Sequence, residues 1–268
     1  MTKIKIVVFD MDETLGYFIE FGIFWDSLNL YIKNKKSVKL IDLDFMNILD
    51  IYPEFIRPNI FSILNYLKYK KLSKECQGVM IYTNNQGPKE WVYMIKNYFE
   101  KKINYKLFDN IITAFKVNGQ HYELCRTTHN KTFKDFIRCT KLPENTEICF
   151  LDDIYHPEMN NNNVYYIKVK PYTHDLPFDE MIQRFINNDI SKNIINDKKE
   201  FTNFMKENMN KYSYTYTGKD KEEYEIDKIV TKKTMLHLHL FFGNNKEMFF
   251  HKKSQKNKVY KSKTKKNR

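Results

Sequence analysis

The feature that most constrains the fold is the stretch from Ile4 to Phe9, apolar apart from Lys5, which runs directly into Asp10-Met11-Asp12. A run of β-branched and aromatic residues this short reads as a strand buried on both faces, the kind found inside a parallel sheet. A second short apolar run is Val79–Tyr82, and Phe108–Phe115, Ile148–Leu151 and Val164–Val169 are further strand-like stretches. Between them lie stretches with helical spacing. Pro58 opens one, with Ile60, Ile63, Leu64 and Leu67 on one face. Pro88 opens another, with Trp91, Met94, Ile95 and Tyr98. Phe133, Phe136 and Ile137 mark a third, and Phe178, Met181, Ile182 and Phe185 a fourth. Buried strands alternating with amphipathic helices predict an α/β fold with a parallel sheet covered on both faces.

Two stretches break that rhythm. Residues 16–53 are too long for a simple strand-to-helix loop and predict an insertion over one edge of the sheet. Beyond residue 188, Asp197 and Glu200 look like a helix cap. Tyr212–Thr217 and Leu236-His237-Leu238-His239-Leu240 alternate, with a turn at Gly243-Asn244-Asn245 before Met248-Phe249-Phe250. Alternation predicts a small antiparallel sheet, with His237 and His239 facing solvent rather than holding a metal. The expected organisation is therefore a main domain over 1–188, an extension over 189–251 and a basic tail over 252–268.

Of the formal net charge of +12, most belongs to that tail, where Lys252–Arg268 holds eight Lys, one Arg and no acid. The remainder is close to neutral, so no basic face spreads over the fold. The tail suits a solubilising end equally with a non-specific grip on nucleic acid, an acidic partner or a nuclear-import receptor. No apolar run is long enough to span a bilayer. Cys76, Cys125, Cys139 and Cys149 form no C-x-x-C pair, which predicts reduced thiols in an intracellular, soluble protein of the nucleus or cytoplasm.

Chemistry concentrates at predicted strand ends. Asp10 and Asp12 project to the same side of an extended chain. Two carboxylates so close stay ionised only if a cation sits between them or one keeps a proton. One can then attack phosphorus while the other serves the leaving oxygen as acid and base. Thr83 ends a second strand, and Asp152-Asp153 ends a later one, where they can complete an all-oxygen magnesium shell. Lys134 falls in the first turn of the preceding predicted helix, with Lys131 as its rival for a phosphate-binding lysine.

In this ordered set the chain resembles the haloacid-dehalogenase (HAD) superfamily of aspartate-nucleophile phosphatases. Asp10-Met11-Asp12-Glu13-Thr14 resembles its first motif, Thr83 its second, Lys134 its third and Asp152-Asp153 its fourth. Asp-Glu-Thr-Leu, Arg57-Pro58 and Phe133-Lys134-Asp135-Phe136 are similar to the CTD-phosphatase (FCP/SCP, NLI-interacting-factor-like) branch. The resemblance covers roughly residues 3–185. It implies a HAD-like Rossmannoid fold and a Mg2+-dependent phosphomonoesterase working on phosphorylated Ser or Thr of proteins. It implies Asp10 as nucleophile and Asp12 as acid–base group. Thr83, Asn84 and Lys134 would bind phosphate, and Asp10, the Asp12 backbone carbonyl and Asp153 would hold the metal. Thr14 and Asp152 would be supporting residues. The run Asn84-Asn85-Gln86-Gly87 is similar instead to the phosphatase half of polynucleotide kinase-phosphatases, which keeps a 3′-phosphatase of nucleic-acid ends as an alternative. A non-catalytic binding protein on the same scaffold is the other.

Overall fold

The computed structural model describes residues 4–35, 40–212, 214 and 216–243. Its strands are β1 (Lys5–Phe9), β2 (Gly78–Tyr82), β3 (Phe108–Ile112), β4 (Lys116–Val117), β5 (Gln120–His121), β6 (Glu147–Asp152) and β7 (Val164–Lys168). Five of these form one parallel sheet in the order β3-β2-β1-β6-β7, and β4 and β5 make a separate small hairpin. The fold is therefore α/β with a Rossmann-like parallel sheet. Val7 is in register with Val79 on one side and Cys149 on the other, so β1 sits at the centre. Strand order runs outward from β1 to β3 in one direction and from β6 to β7 in the other. The reversal falls between β1 and β6, and at such a switch point the loops leaving neighbouring strands diverge and open a crevice.

The period-2 alternation of the strands sorts the core into two layers. Val7, Phe9, Val79, Ile81, Cys149 and Leu151 face one layer. It receives α1 (Ile19–Asn34), α2 (Asp42–Leu49), α3 (Ile60–Leu72) and α4 (Lys89–Ile103). Ile6, Val8, Met80, Tyr82, Ile148 and Phe150 face the other, where α5 (Phe133–Thr140) inserts Phe136. α6 (Phe178–Ile186), α7 (Lys198–Met209) and α8 (Lys221–Phe242) return to the first layer, adding Phe185, Phe201 and Leu238. α1 and α2, from the predicted insertion, belong to this core: Phe21 packs edge-on against Phe45, and Phe24 against Phe185. Asp197 caps α7 as its sequence suggests, accepting from the backbone of Lys199 and Glu200.

The predicted antiparallel sheet after residue 188 is not formed among the described residues. Leu236–Leu240 lies inside α8. Leu236 and Leu240, four apart, share its outer side, whereas Thr231, Thr234, Leu238, Phe241 and Phe242 are buried. Those five recur at three- and four-residue intervals, so the helical period overrides a local alternation. His237 meets the Tyr165 hydroxyl at 2.6 Å, and His239 packs on Tyr66. The segment Met248-Phe249-Phe250 and the basic tail lie outside the described residues.

The cysteine expectation is also corrected. Cys125 and Cys139 form a disulfide, and Cys76 and Cys149 are free and buried. Arg138 of α5 also donates from Nε to the Cys125 carbonyl at 2.5 Å, a second contact between this loop and the helix that carries Cys139. No helix among the described residues is long and apolar enough to cross a membrane.

Glu20 is an acid buried in α1, receiving a hydrogen bond from the Tyr214 hydroxyl. Burial raises its carboxyl from 4.5 to about 8, against that hydrogen bond. A raised carboxyl contributes stability that is complete below about pH 4.5 and lost as pH rises through about 8. The expected result is a urea midpoint that falls between pH 5 and 8, with Glu20→Gln flattening this part of the profile. An unchanged slope in the variant would count against Glu20 as its source.

Candidate active site

Asp10 follows β1 directly, and its backbone N–H donates to the Leu151 carbonyl of β6 at 2.8 Å, which continues the sheet one residue into the crevice. Asp152 is the last residue of β6, and Asp153 comes next. One carboxylate oxygen from each of Asp10, Asp152 and Asp153 lies within 4.8 Å of the others, and all three side chains are buried. This cluster can hold a metal ion. Its donors are carboxylate oxygens without nitrogen or sulfur, which suits a hard divalent cation.

Lys131 bridges two of the three carboxylates. Its Nζ lies 2.5 Å from Asp10 Oδ1 and 2.7 Å from Asp152 Oδ2, and the lysine is 2% exposed. The loop ahead of α5 delivers it there. Thr132 is the N-cap of that helix, accepting from the Asp135 N–H, so the chain turns just after Lys131. The lysine predicted first, Lys134, stands one helical turn on, exposed and outside the cluster. In a helix that begins at Phe133, position 134 points away from the sheet, whereas the extended residue before the cap reaches under it.

Asp152 is further engaged by the Ile154 backbone N–H at 2.8 Å, and His156 Nε2 lies 3.5 Å from it. Asp153 accepts from Thr14 Oγ1 at 3.2 Å. Asp12 Oδ2 accepts from Asn85 Nδ2 at 2.8 Å. Thr83 is fully buried at the end of β2, where its Oγ1 accepts from the Asn85 N–H at 3.0 Å. Asn84, predicted to bind phosphate, is exposed, and its neighbour Asn85 reaches the carboxylates instead. Thus Asp10, Asp12, Asp152, Asp153, Thr14 and Thr83 belong to one crevice, joined by Lys131, Asn85 and His156. Lys131 had a sequence signal as the rival lysine. Asn85 was visible only as part of the Asn-Asn-Gln-Gly string, and His156 gave none.

No protein-family model matches the chain, and no curated protein matches it.

The electrostatics of the crevice divide its carboxylates. Burial pushes Asp10 up to about 8, with Asp152 and Asp12 adding to the rise and Lys131 opposing it. Burial also raises Asp12 and Asp153. Asp152 goes the other way: burial is outweighed by His156 and Lys131, which together hold it below the usual carboxylate range. Lys131 is raised, because Asp10 and Asp152 outweigh the desolvation of its ammonium. The site thus contains a fixed Lys131–Asp152 ion pair beside three carboxyl groups that gain from a proton or a cation.

Two buried arginines hold the loops around it. Arg57 donates from Nε to the Thr14 carbonyl and from Nη2 to the carbonyls of Glu13 and Lys170. Arg126 reaches the carbonyls of Thr83 and Thr113 through Nη1 and those of His129 and Asn130 through Nη2. Glu13 takes a left-handed backbone, φ 56°, inside this anchored turn. Gly16 closes the turn, since a Cβ there would stand 2.5 Å from the Phe55 carbonyl oxygen.

Proposed function

We propose that this chain is a Mg2+-dependent phosphomonoesterase of the HAD type, acting through an aspartyl-phosphate and most suited to phosphorylated Ser or Thr of a protein. The observation that carries the reading is Lys131 seated between Asp10 and Asp152, with Asp153 completing an oxygen cluster and Asp12 on the Asp10 loop. A bound divalent ion, held by Asp10 and Asp153 with the Asp12 carbonyl, would supply positive charge to the phosphoryl oxygens and keep Asp10 ionised at neutral pH.

In this scheme Asp10 attacks phosphorus through one carboxylate oxygen. A P–O bond forms to Asp10 as the ester P–O bond breaks, and Asp12 gives its proton to the departing oxygen. Asp12, now a base, takes a proton from the water that attacks the phosphorus, releasing inorganic phosphate and restoring the Asp10 carboxylate. Lys131 and Thr83 face the equatorial oxygens, where charge is greatest in the transition state. Asp152 keeps Lys131 protonated and aimed.

The test is a panel of 4-nitrophenyl phosphate, a Ser-phosphopeptide and a 3′-phosphorylated oligonucleotide, each with Mg2+ and with EDTA. Turnover should fall at least about 100-fold on chelation and return with Mg2+, since the cation supplies several kcal/mol of charge stabilisation. Preference for the oligonucleotide would move the substrate to nucleic-acid ends. Absence of turnover on every ester would leave a binding protein.

A further inference from the structure

Resting on the phosphatase reading, we propose that Asn85 is a positioning residue for Asp12, fixing the rotation of its carboxyl so that Oδ1 is the oxygen presented to a leaving group. Asn85 Nδ2 donates to Asp12 Oδ2 at 2.8 Å. An amide N–H needs an oxygen lone pair, and the hydroxyl oxygen of a carboxylic acid is the poorer acceptor of its two. With Oδ2 engaged by Asn85, Oδ1 is the oxygen of Asp12 left to face a leaving group.

The amide is itself held in one sense. Asn85 Oδ1 accepts from the Gly87 backbone N–H at 2.9 Å, so turning the amide over would set its NH2 against another donor. The Asn85 N–H donates to Thr83 Oγ1, and the Thr83 N–H to the Ile112 carbonyl of β3. A continuous set of hydrogen bonds thus runs from the sheet through Thr83 and Asn85 to Asp12. Gly87 is part of the device: a Cβ there would lie 2.9 Å from Asn85 Oδ1 and displace the amide without touching Asp12.

A group that aims a general acid matters in proportion to how much the leaving oxygen needs its proton. The experiment measures kcat/KM, which reports the first phosphoryl transfer, for esters of 4-nitrophenol, phenol and a primary alcohol. Asn85→Ala should cost the alkyl ester about 30-fold or more, and 4-nitrophenyl phosphate less than about 3-fold, because nitrophenolate departs unaided. Gly87→Ala should give the same slope, more weakly. A crystal structure of Asn85→Ala should find the Asp12 carboxyl in a new or divided rotamer. An equal loss across the esters, or an Asp12 that keeps its rotamer in the variant, overturns the positioning role. Wild-type protein that hydrolyses none of the esters overturns the phosphatase reading instead, and the Asp12 rotamer still decides whether Asn85 holds it.

Discussion

Asp10→Asn is expected to lose turnover by about 10⁵-fold or more while keeping its fold. An amide of the same shape cannot form the phosphoryl ester, and losing a nucleophile that acts with its partners costs nearly the whole of their joint effect. The fold should hold because burial, with Asp152 and Asp12 adding to it, already disfavours the charged form of Asp10, and an uncharged amide of the same shape carries no such penalty. Lys131 retains Asp152 as its counter-ion at 2.7 Å. The checks are a 4-nitrophenyl phosphate assay with Mg2+ and a thermal melt. The phosphorylated intermediate should also be trapped by acid quench from wild type and be missing from the variant. Substantial turnover in Asp10→Asn would remove Asp10 as nucleophile.

Lys131→Met and Lys134→Ala should separate widely. Removing Lys131 leaves Asp10 and Asp152 buried without their shared cation, and breaking a buried pair in this way costs about 3–5 kcal/mol. It also takes away a positive charge aimed at the phosphoryl group, worth about 100- to 1,000-fold in rate. Lys134 is exposed, so its truncation should stay within about 0.5 kcal/mol and leave kcat/KM unchanged. Urea melts and kcat/KM on both variants decide the matter. A stable, active Lys131→Met alongside an inactive Lys134→Ala would reverse the assignment.

The contrast between these lysines shows where the sequence is readable. β1 announces itself because a strand buried on both faces needs an apolar run such as Ile6–Phe9, and Asp10 follows it with no intervening choice. Lys131 and Lys134 differ only in which side of a helix start they occupy, and that start is fixed by Thr132 accepting from the Asp135 N–H, a Thr-x-x-Asp cap that the apolar spacing of Phe133, Phe136 and Ile137 does not register. Leu236–Leu240 alternates locally, yet the tertiary face is chosen by Thr231, Thr234, Leu238, Phe241 and Phe242 together. Cys125 and Cys139 have no signature, because they sit 14 residues apart on a loop and on a helix whose tertiary approach no local pattern encodes. Asn85 was hidden for a related reason: its partner Asp12 is 73 residues away in the chain.

Arg57 and Arg126 grip the crevice loops through main-chain oxygens alone in the contacts described above, at Glu13, Thr14 and Lys170 for one and at Thr83, Thr113, His129 and Asn130 for the other. A carbonyl is present whatever amino acid carries it. At Lys170, His129 and Asn130 this hold on the crevice mouth is therefore independent of which side chain is present, whereas it depends on each guanidinium. Substitutions at such positions can change the charge and bulk of the rim while both anchors stay in place.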